Sequence, residues 1–339
     1  MSTPTKRKGR ISILIKAFNE EAQIANCLAA AVREAQSVDG EVILVDSLST
    51  DRTVEIARSY PVRIVQFTCQ EDRGCGAAVQ LGYQFAQGDY IYVLDGDMEL
   101  QTGFIANALN VLEREPNVAG VGGQLLDRQI RTAADLRRAQ TLGILSQRIE
   151  VDELGGGGLY RRKAIESVGY LAHRWIPAFE EAELGFRLRA AGWRLFRLPE
   201  PAVLHTGHTE SNWSMIRRLW RNRRSHAAGM LLRLAFGKAW WWRALRSQWT
   251  VILTPAIHFV ILGIAILLGN GLGDTVGFWL ALEFGVWLCL WTMLAVRKQD
   301  VQLAGFSLIN WHISTAAALI GSSRPLADPY IPIAAREIV

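Results

Sequence analysis

The sequence has no acidic residue between Ser211 and Trp249, although that stretch holds eight arginines and one lysine. Such a segment cannot neutralise its own charge, so it calls for an anionic partner or an interface. Trp213, Trp220, Trp240, Trp241, Trp242 and Trp249 are interleaved with the arginines, a pairing that suits either nucleic acid or a membrane surface. Residues Met1 to Arg10 are basic and lack the apolar core of a signal peptide. They read as a disordered arm, and the N-terminus is expected to stay in the cytosol. Cysteine is scarce. Cys27, Cys69, Cys75 and Cys289 show neither paired nor metal-type spacing, which argues against a disulfide framework and for reduced thiols in a cytosolic setting. No internal repeat or low-complexity tract appears.

Half of the residues are hydrophobic and twelve are tryptophan, with a net charge of +5. Two long apolar runs decide between the two partners. Val251 to Leu268 carries no Lys, Arg, Asp or Glu, and Val276 to Val296 carries one charge, Glu283. Each is about long enough to cross roughly 30 Å of hydrocarbon. Asn270 to Asp274 can only be a tight hairpin between them. Arg243 and Arg246 precede the pair, Arg297 and Lys298 follow it, and the hairpin has no Lys or Arg. The positive-inside rule then puts both outer ends in the cytosol. The expected partner is therefore membrane lipid and not nucleic acid, and the expected site is the cytoplasmic membrane. Leu303 to Ile320 is a third, more polar candidate that spans, re-enters or lies flat. Glu283 shares a helix face with Trp279, Trp287 and Trp291. A charge at that depth is costly, so Glu283 should face protein, with Asn310 and His312 as its nearest polar partners.

Before this region, Ile11 to His208 alternates short apolar runs with amphipathic stretches. Ile11 to Ile15, Glu41 to Val45, Val62 to Gln66 and Tyr90 to Leu94 read as strands; Glu20 to Ala35, Thr53 to Tyr60 and Gly76 to Ala86 read as helices. That order predicts an α/β fold with a mostly parallel sheet covered on both faces. The expected organisation is an arm over 1–10, this domain over 11–210, basic interfacial helices over 211–249, and membrane segments over 250–339.

Asp95-Gly96-Asp97 sits at the C-terminal end of the Tyr90 strand, where open α/β sheets bind ligands. Two carboxylates there can approach a divalent cation, or they can simply form a polar turn. His205 follows an apolar run and is either structural or a further cation ligand. Glu180, Glu181 and Glu183 open a helix, where acids favour the dipole; one of them could also be a general base. Gly155 to Gly158 lets a backbone approach a ligand closely or forms a mobile loop. Asp46 and Asp51 suit a nucleoside, with helix capping the plainer role for Asp51. Arg73 before Gly74 suits either a turn or a phosphate contact.

In this order the pieces resemble the family 2 glycosyltransferases of the GT-A, Rossmann-like fold. Ala17-Phe18-Asn19-Glu20-Glu21 is similar to the opening motif, with Lys16 where proline is common. Asp46 to Asp51 is similar to the second motif, with Ser47 and Leu48 in place of Asp and Gly. Asp95-Gly96-Asp97 resembles the metal motif, and Gly156 to Arg162 the acceptor-side glycine loop. Glu180-Glu181 resembles the Glu-Asp motif, with Glu181 at the position of the base. The resemblance implies that Phe18, Glu20, Asp46, Arg73 and Asp95 hold a nucleotide-sugar donor. It implies that Asp97 and His205 bind Mg²⁺ or Mn²⁺, and that Glu181 deprotonates an acceptor hydroxyl in an inverting displacement. Gly157 and Gly158 fall on the acceptor side. Similar membrane-bound members use polyprenyl-linked acceptors, and Arg223 and Arg224 suit the phosphate of such a lipid, a basic belt on anionic lipid, or a mixture of the two. The Gln-x-x-Arg-Trp motif of processive synthases is absent, which favours transfer of a single sugar. A synthase acting on polyprenyl phosphate itself and a non-enzymatic membrane scaffold remain as alternative readings.

Overall fold

The computed structural model describes residues 11–130, 132–142, 145–206, 210–272 and 274–338. The basic arm over 1–10 lies outside them. The strands are β1 (Ile11–Ala17), β2 (Gly40–Asp46), β3 (Arg63–Phe67), β4 (Tyr90–Asp95), β5 (Met98–Leu100), β6 (Val118–Asp127), β7 (Ile149–Glu150), β8 (Gly158–Arg161), β9 (Arg194–His205) and β10 (Ala335–Glu337). The helices of the same part of the chain are α1 (Ile24–Ser37), α2 (Thr53–Ala57), α3 (Cys75–Phe85), α4 (Phe104–Arg114), α5 (Ala133–Leu142), α6 (Arg162–Ser167) and α7 (Glu180–Ala190). Then come α8 (Asn212–Arg221), α9 (Ala227–Ala235), α10 (Trp241–Ser247), α11 (Trp249–Leu272), α12 (Thr275–Lys298) and α13 (Val301–Ser322).

Strands β3, β2, β1 and β4 lie side by side and parallel. Their sequences are near-continuous apolar runs because both faces are covered. Ile11, Ile13 and Ile15 pack on one face with Ile24, Leu28 and Phe104 from α1 and α4. Leu14, Ile43 and Val45 pack on the other with Ala77 and Leu81 from α3 and Leu184 from α7. The alternation follows from the two-residue period of a strand.

Beyond β4 the sheet is mixed, in the order β4-β8-β6-β9-β5. β8 runs antiparallel to both β4 and β6, and β5 and β7 run antiparallel to β9. The sequence predicts a mostly parallel sheet, and these strands supply its antiparallel part. β5 follows β4 after a two-residue turn, too short for a parallel crossover. At the other edge β10 adds antiparallel to β3.

The chain divides into two compact units. The first runs to Asn212 and includes the C-terminal segment from Leu326; the second is Trp213–Pro325. In the second unit, α11, α12 and α13 are long and apolar enough to cross a membrane. Asp274 and Asp300 begin α12 and α13 by accepting from the amides of Gly277 and Leu303, which fixes where each helix starts. Glu283 accepts from Trp287 Nε1 at 2.9 Å, and both its oxygens lie 3.0 Å from His258 Nδ1. His258 Nε2 in turn meets His312 Nε2 at 3.1 Å. Glu283 thus faces protein, as its cost at that depth requires. Its direct partner is His258 of α11 and not Asn310, and His312 joins one step further on. A histidine in an otherwise uncharged run carries no depth signal of its own.

Glu183 is fully buried, forms two bonds of 2.7 Å to the Arg187 guanidinium, and accepts from Tyr170 Oη at 2.8 Å. This acid serves the fold. Replacing Arg187 by Met strands a buried carboxylate and should cost about 3–5 kcal/mol. Thermal unfolding of the full chain in detergent should show a markedly lower midpoint; an unchanged midpoint would contradict the pairing.

Candidate active site

The functional side chains leave the C-terminal ends of strands on one side of the sheet: β1 and β4 are neighbours, and β5, which follows β4, pairs with β9. β1 ends in Lys16 and Ala17 and turns through Phe18 and Asn19 into Glu20, with Asn19 left-handed at φ 56°. β4 delivers Asp95, followed by Gly96 and Asp97. β9 ends at His205, which stands opposite Met98 of β5 and Asp127 of β6. α7 opens with Glu180 and Glu181.

The loops after β1 and β2 are tied together. Asn19 N donates to Ser49 Oγ at 2.9 Å, and Thr50 N donates to Asn19 Oδ1 at 2.8 Å. Glu20 N donates to Thr53 Oγ1 at 2.8 Å, and Glu21 N to Asp51 Oδ2 at 3.0 Å. Asp51, one residue before Arg52, the N-cap of α2, also accepts from Thr53 N at 3.0 Å. Arg73 lies 4.9 Å over the Phe18 ring and donates to Ser47 O at 3.0 Å. Phe18 keeps 47% of its surface exposed, so a flat aromatic face backed by a guanidinium borders the loops. Asp46 is fully buried; it accepts from Ser49 N at 3.1 Å and Gln66 Nε2 at 2.7 Å. Its direct work is to shape the loop after β2.

Acidic charge is crowded at these strand ends. Burial first, and then the charges of Asp97, Asp95 and Asp51, push the Glu20 carboxyl up to about 8. Lys16 Nζ lies 3.1 Å from Asp95 Oδ1 and 2.5 Å from Glu180 Oε1. Burial opposes its charge, but Asp95 and Glu180 overcome that and hold the ammonium well above its usual pKa. Glu180 is thereby committed to Lys16. Glu181 is half-buried and lines a small apolar pocket with Val79, Val93, Leu171 and Leu184. Burial, followed by the charge of Glu180, raises Glu181 to about 8.

Asp97 Oδ2 and His205 Nε2 are 3.2 Å apart. On its other nitrogen His205 meets Asp127 Oδ1 at 2.6 Å, and Arg138 holds Asp127 by bonds of 2.9 and 3.2 Å. A carboxylate behind Nδ1 is the usual support of a metal-ligating histidine. Two adjacent ligands of one ion with bonds near 2.1 Å stand roughly 3 Å apart, so the pair fits a divalent cation. Among the described residues no group of three or more His, Cys, Asp or Glu gathers around one point. Mg²⁺-type ions are commonly held by one or two protein carboxylates with substrate phosphates completing the shell, and this donor set matches that pattern. Without a cation, burial disfavours the imidazolium, but hydrogen bonds and charge from Asp97 and then Asp127 raise His205 to about 9.

Gly156 and Gly157 take positive φ of 73° and 94°. A Cβ on Gly156 would stand 2.2 Å from Leu125 Cδ1, and one on Gly157 2.9 Å from the Tyr92 hydroxyl. Here close packing as well as backbone freedom demands glycine. Gly157 and Gly158 are buried, so Gly155 and Gly156 form the partly open part of the loop. Arg197, 1% exposed, donates to Gly123 O and Gly155 O and supports the loop from beneath. Arg223 and Arg224 belong to the other unit, between α8 and α9.

The first unit brings Glu20 near Asp95, Asp97 and His205, and Glu181 near Asp95. Lys16, Asp127, Arg138 and Gln66 were not foreseen. Asp127 ends an apolar run much as Asp46 and Asp95 do, which was a usable signal. The orientation of Lys16 at a buried strand end had none.

In the cation-free protein Glu20, Glu181 and His205 all have raised pKa values. The two glutamates contribute stability that is complete below the ordinary carboxyl range and lost as pH rises through about 8. The His205 contribution is complete below the ordinary imidazole value and lost through about 9. Thermal midpoints in EDTA should therefore fall as pH rises toward 9. Mn²⁺ competes with the proton between Asp97 and His205, so its stabilisation should be larger at alkaline pH than at pH 6. A cation effect independent of pH would exclude this pair as the ligands.

Residues 12–169 match the family model "Glycosyl transferase family 2". The chain is 26% identical over 274 residues to a beta-monoglucosyldiacylglycerol synthase of Nostoc sp., covering 72% of this chain and 56% of that one. It is 30% identical over 185 residues to a dodecaprenyl-phosphate galacturonate synthase of Rhizobium johnstonii, covering 50% and 53%. The chain spans just over half the length of each of these two relatives. Among solved structures, the mannosyltransferase PcManGT from Pyrobaculum calidifontis, in complex with GDP-Man and Mn²⁺, superposes with a TM-score of 0.59 at 19% identity, covering 94% of this chain and 88% of that one. Residues 12–169 thus match glycosyl transferase family 2, the fold is a GT-A-like mixed α/β sheet, and three helices apolar enough to span a membrane follow.

Proposed function

We propose that this chain is a membrane-bound, inverting glycosyltransferase that moves a sugar from a nucleotide-sugar to a lipid-linked acceptor. The observation that carries the reading is the convergence of Glu20, Asp95, Asp97, His205 and the start of α7 at the C-terminal ends of β1, β4 and β9. The names of the two relatives both specify lipids, which supports a lipid acceptor. The charges flanking α11 and α12 support a catalytic unit on the cytosolic side of the cytoplasmic membrane.

In this reading Phe18 and Arg73 form the face for the nucleobase, and Asp46 holds the loop beside it. Glu20 and Asp95 line the path toward the sugar. Mg²⁺ or Mn²⁺ held by Asp97 and His205 would supply positive charge against the departing diphosphate. The neighbouring mannosyltransferase structure with GDP-Man and Mn²⁺ supports such a cation. Lys16 keeps Glu180 paired, which leaves Glu181 as the base. Glu181 accepts the proton of the acceptor hydroxyl as that oxygen attacks the anomeric carbon from the face opposite the diphosphate. One displacement inverts the configuration. The glycine loop borders the acceptor, and Arg223 and Arg224 bind its phosphate.

A second reading has the phosphate of a polyprenyl phosphate as nucleophile, and the galacturonate synthase relative favours it. A phosphate is already anionic at neutral pH and needs no base, which makes Glu181 the discriminator. With a lipid-linked sugar as acceptor, Glu181→Gln should lower kcat by about 10²–10⁴ with little change in donor KM. With bare polyprenyl phosphate the loss should be slight. Full activity of Glu181→Gln on hydroxyl acceptors would remove it as the base. Asp97→Asn should nearly abolish transfer on either acceptor, as should EDTA; transfer that survives both would sink the cation role.

A further inference from the structure

After α13 the chain returns to the first unit, and its last strand does more than cover an edge. β10 pairs with β3 so that Arg336 stands opposite Gln66. Arg336 Nε donates to Gln66 Oε1 at 2.9 Å, and Nη2 donates to the same oxygen. The other end of that amide, Nε2, donates to Asp46 Oδ2 at 2.7 Å. Asp46 then accepts from Ser49 N, within the loop after β2. A guanidinium only donates and a carboxylate only accepts. The amide between them is satisfied in a single orientation, so Arg336 sets which way Gln66 faces and with it the support beneath the loop.

A second contact grips the other side. Arg174, with its side chain 3% exposed, donates to Ile331 O at 2.9 Å and Pro332 O at 3.1 Å and pairs with Asp72 at 2.5 Å. Asp72 precedes Arg73, which donates to Ser47 O and lies over Phe18. The tail is therefore linked to the first residues of the loop after β2 by two routes, through Gln66 and Asp46 and through Arg174, Asp72 and the adjacent Arg73.

We propose that the C-terminal tail is a positioning element for the nucleotide-binding loop, with Arg336 as its positioning residue. The proposal rests on the reading of that loop as the donor site.

The test uses the full chain in detergent with UDP and GDP, each with Mn²⁺, measured by calorimetry. Arg336→Met should weaken nucleotide binding roughly threefold to tenfold. Donor KM should rise by the same factor with kcat unchanged. Arg336→Lys should restore most of the affinity. Glu337→Gln breaks the neighbouring pair to Arg63, which is 3.0 Å long, and should leave affinity at the wild-type level. If Arg336→Met does not fold, Arg336→Gln provides the same comparison. Wild-type affinity in the Arg336 variants overturns the proposal, as does an equal loss in Glu337→Gln, which would mean that only strand docking matters. If the wild-type chain binds neither nucleotide, the donor-site reading itself fails and takes this inference with it.

Discussion

Acidic side chains must coexist at the C-terminal ends of closely spaced strands, and the site depends on how their repulsion is relieved. Asp95, Asp97 and Glu20 project from two neighbouring turns, with Glu180 and Glu181 entering from α7. Like charges at such separations cannot all ionise in a partly buried place. The chain answers with Lys16 between Asp95 and Glu180, with His205 between Asp97 and Asp127, and with raised pKa values at Glu20 and Glu181. A region that must hold protons or cations to stay neutral is well suited to receive a cation with a diphosphate. The same crowding that makes the site costly to fold makes it able to bind.

The site rests on a layer of polar supports beneath it. His205 is backed by Asp127 and Arg138, the glycine loop by Arg197, and Asp46 by Gln66. Each support is a buried or half-buried polar group with partners of fixed role. Such networks hold one geometry because any change of partner leaves a donor or acceptor unmet. Glu183 and Arg187 do the same for α7, so that the two acids before them stand at a rigid helix start.

The three long helices solve a different problem with related means. Glu283 is placed where hydrocarbon would surround it, and it is met by His258, His312 and Trp287 from all three helices. In an apolar setting that polar contact gives a specific register to surfaces that otherwise differ little. Asp274 and Asp300 define the starts of the second and third helices by capping their first amides.

Much of this was legible in the residues. The apolar runs of β1, β2 and β4 announce strands buried on both faces because burial dictates composition directly. Asp95, Asp97 and His205 were visible as polar groups ending such runs, and Glu181 as part of an acidic helix start. What the residues alone did not reveal is which of them meet. Lys16 reaches two acids from distant segments, Asp127 stands behind His205 only because β6 and β9 pair in register, and the tail finds Gln66 across β3. The mixed half of the sheet and the link from His258 to Glu283 belong to the same class. Periodicity and composition are local quantities, and they determine which face of an element is buried and where it ends. Partner choice between segments far apart in the chain depends on strand order and register, which arise only when the elements pack.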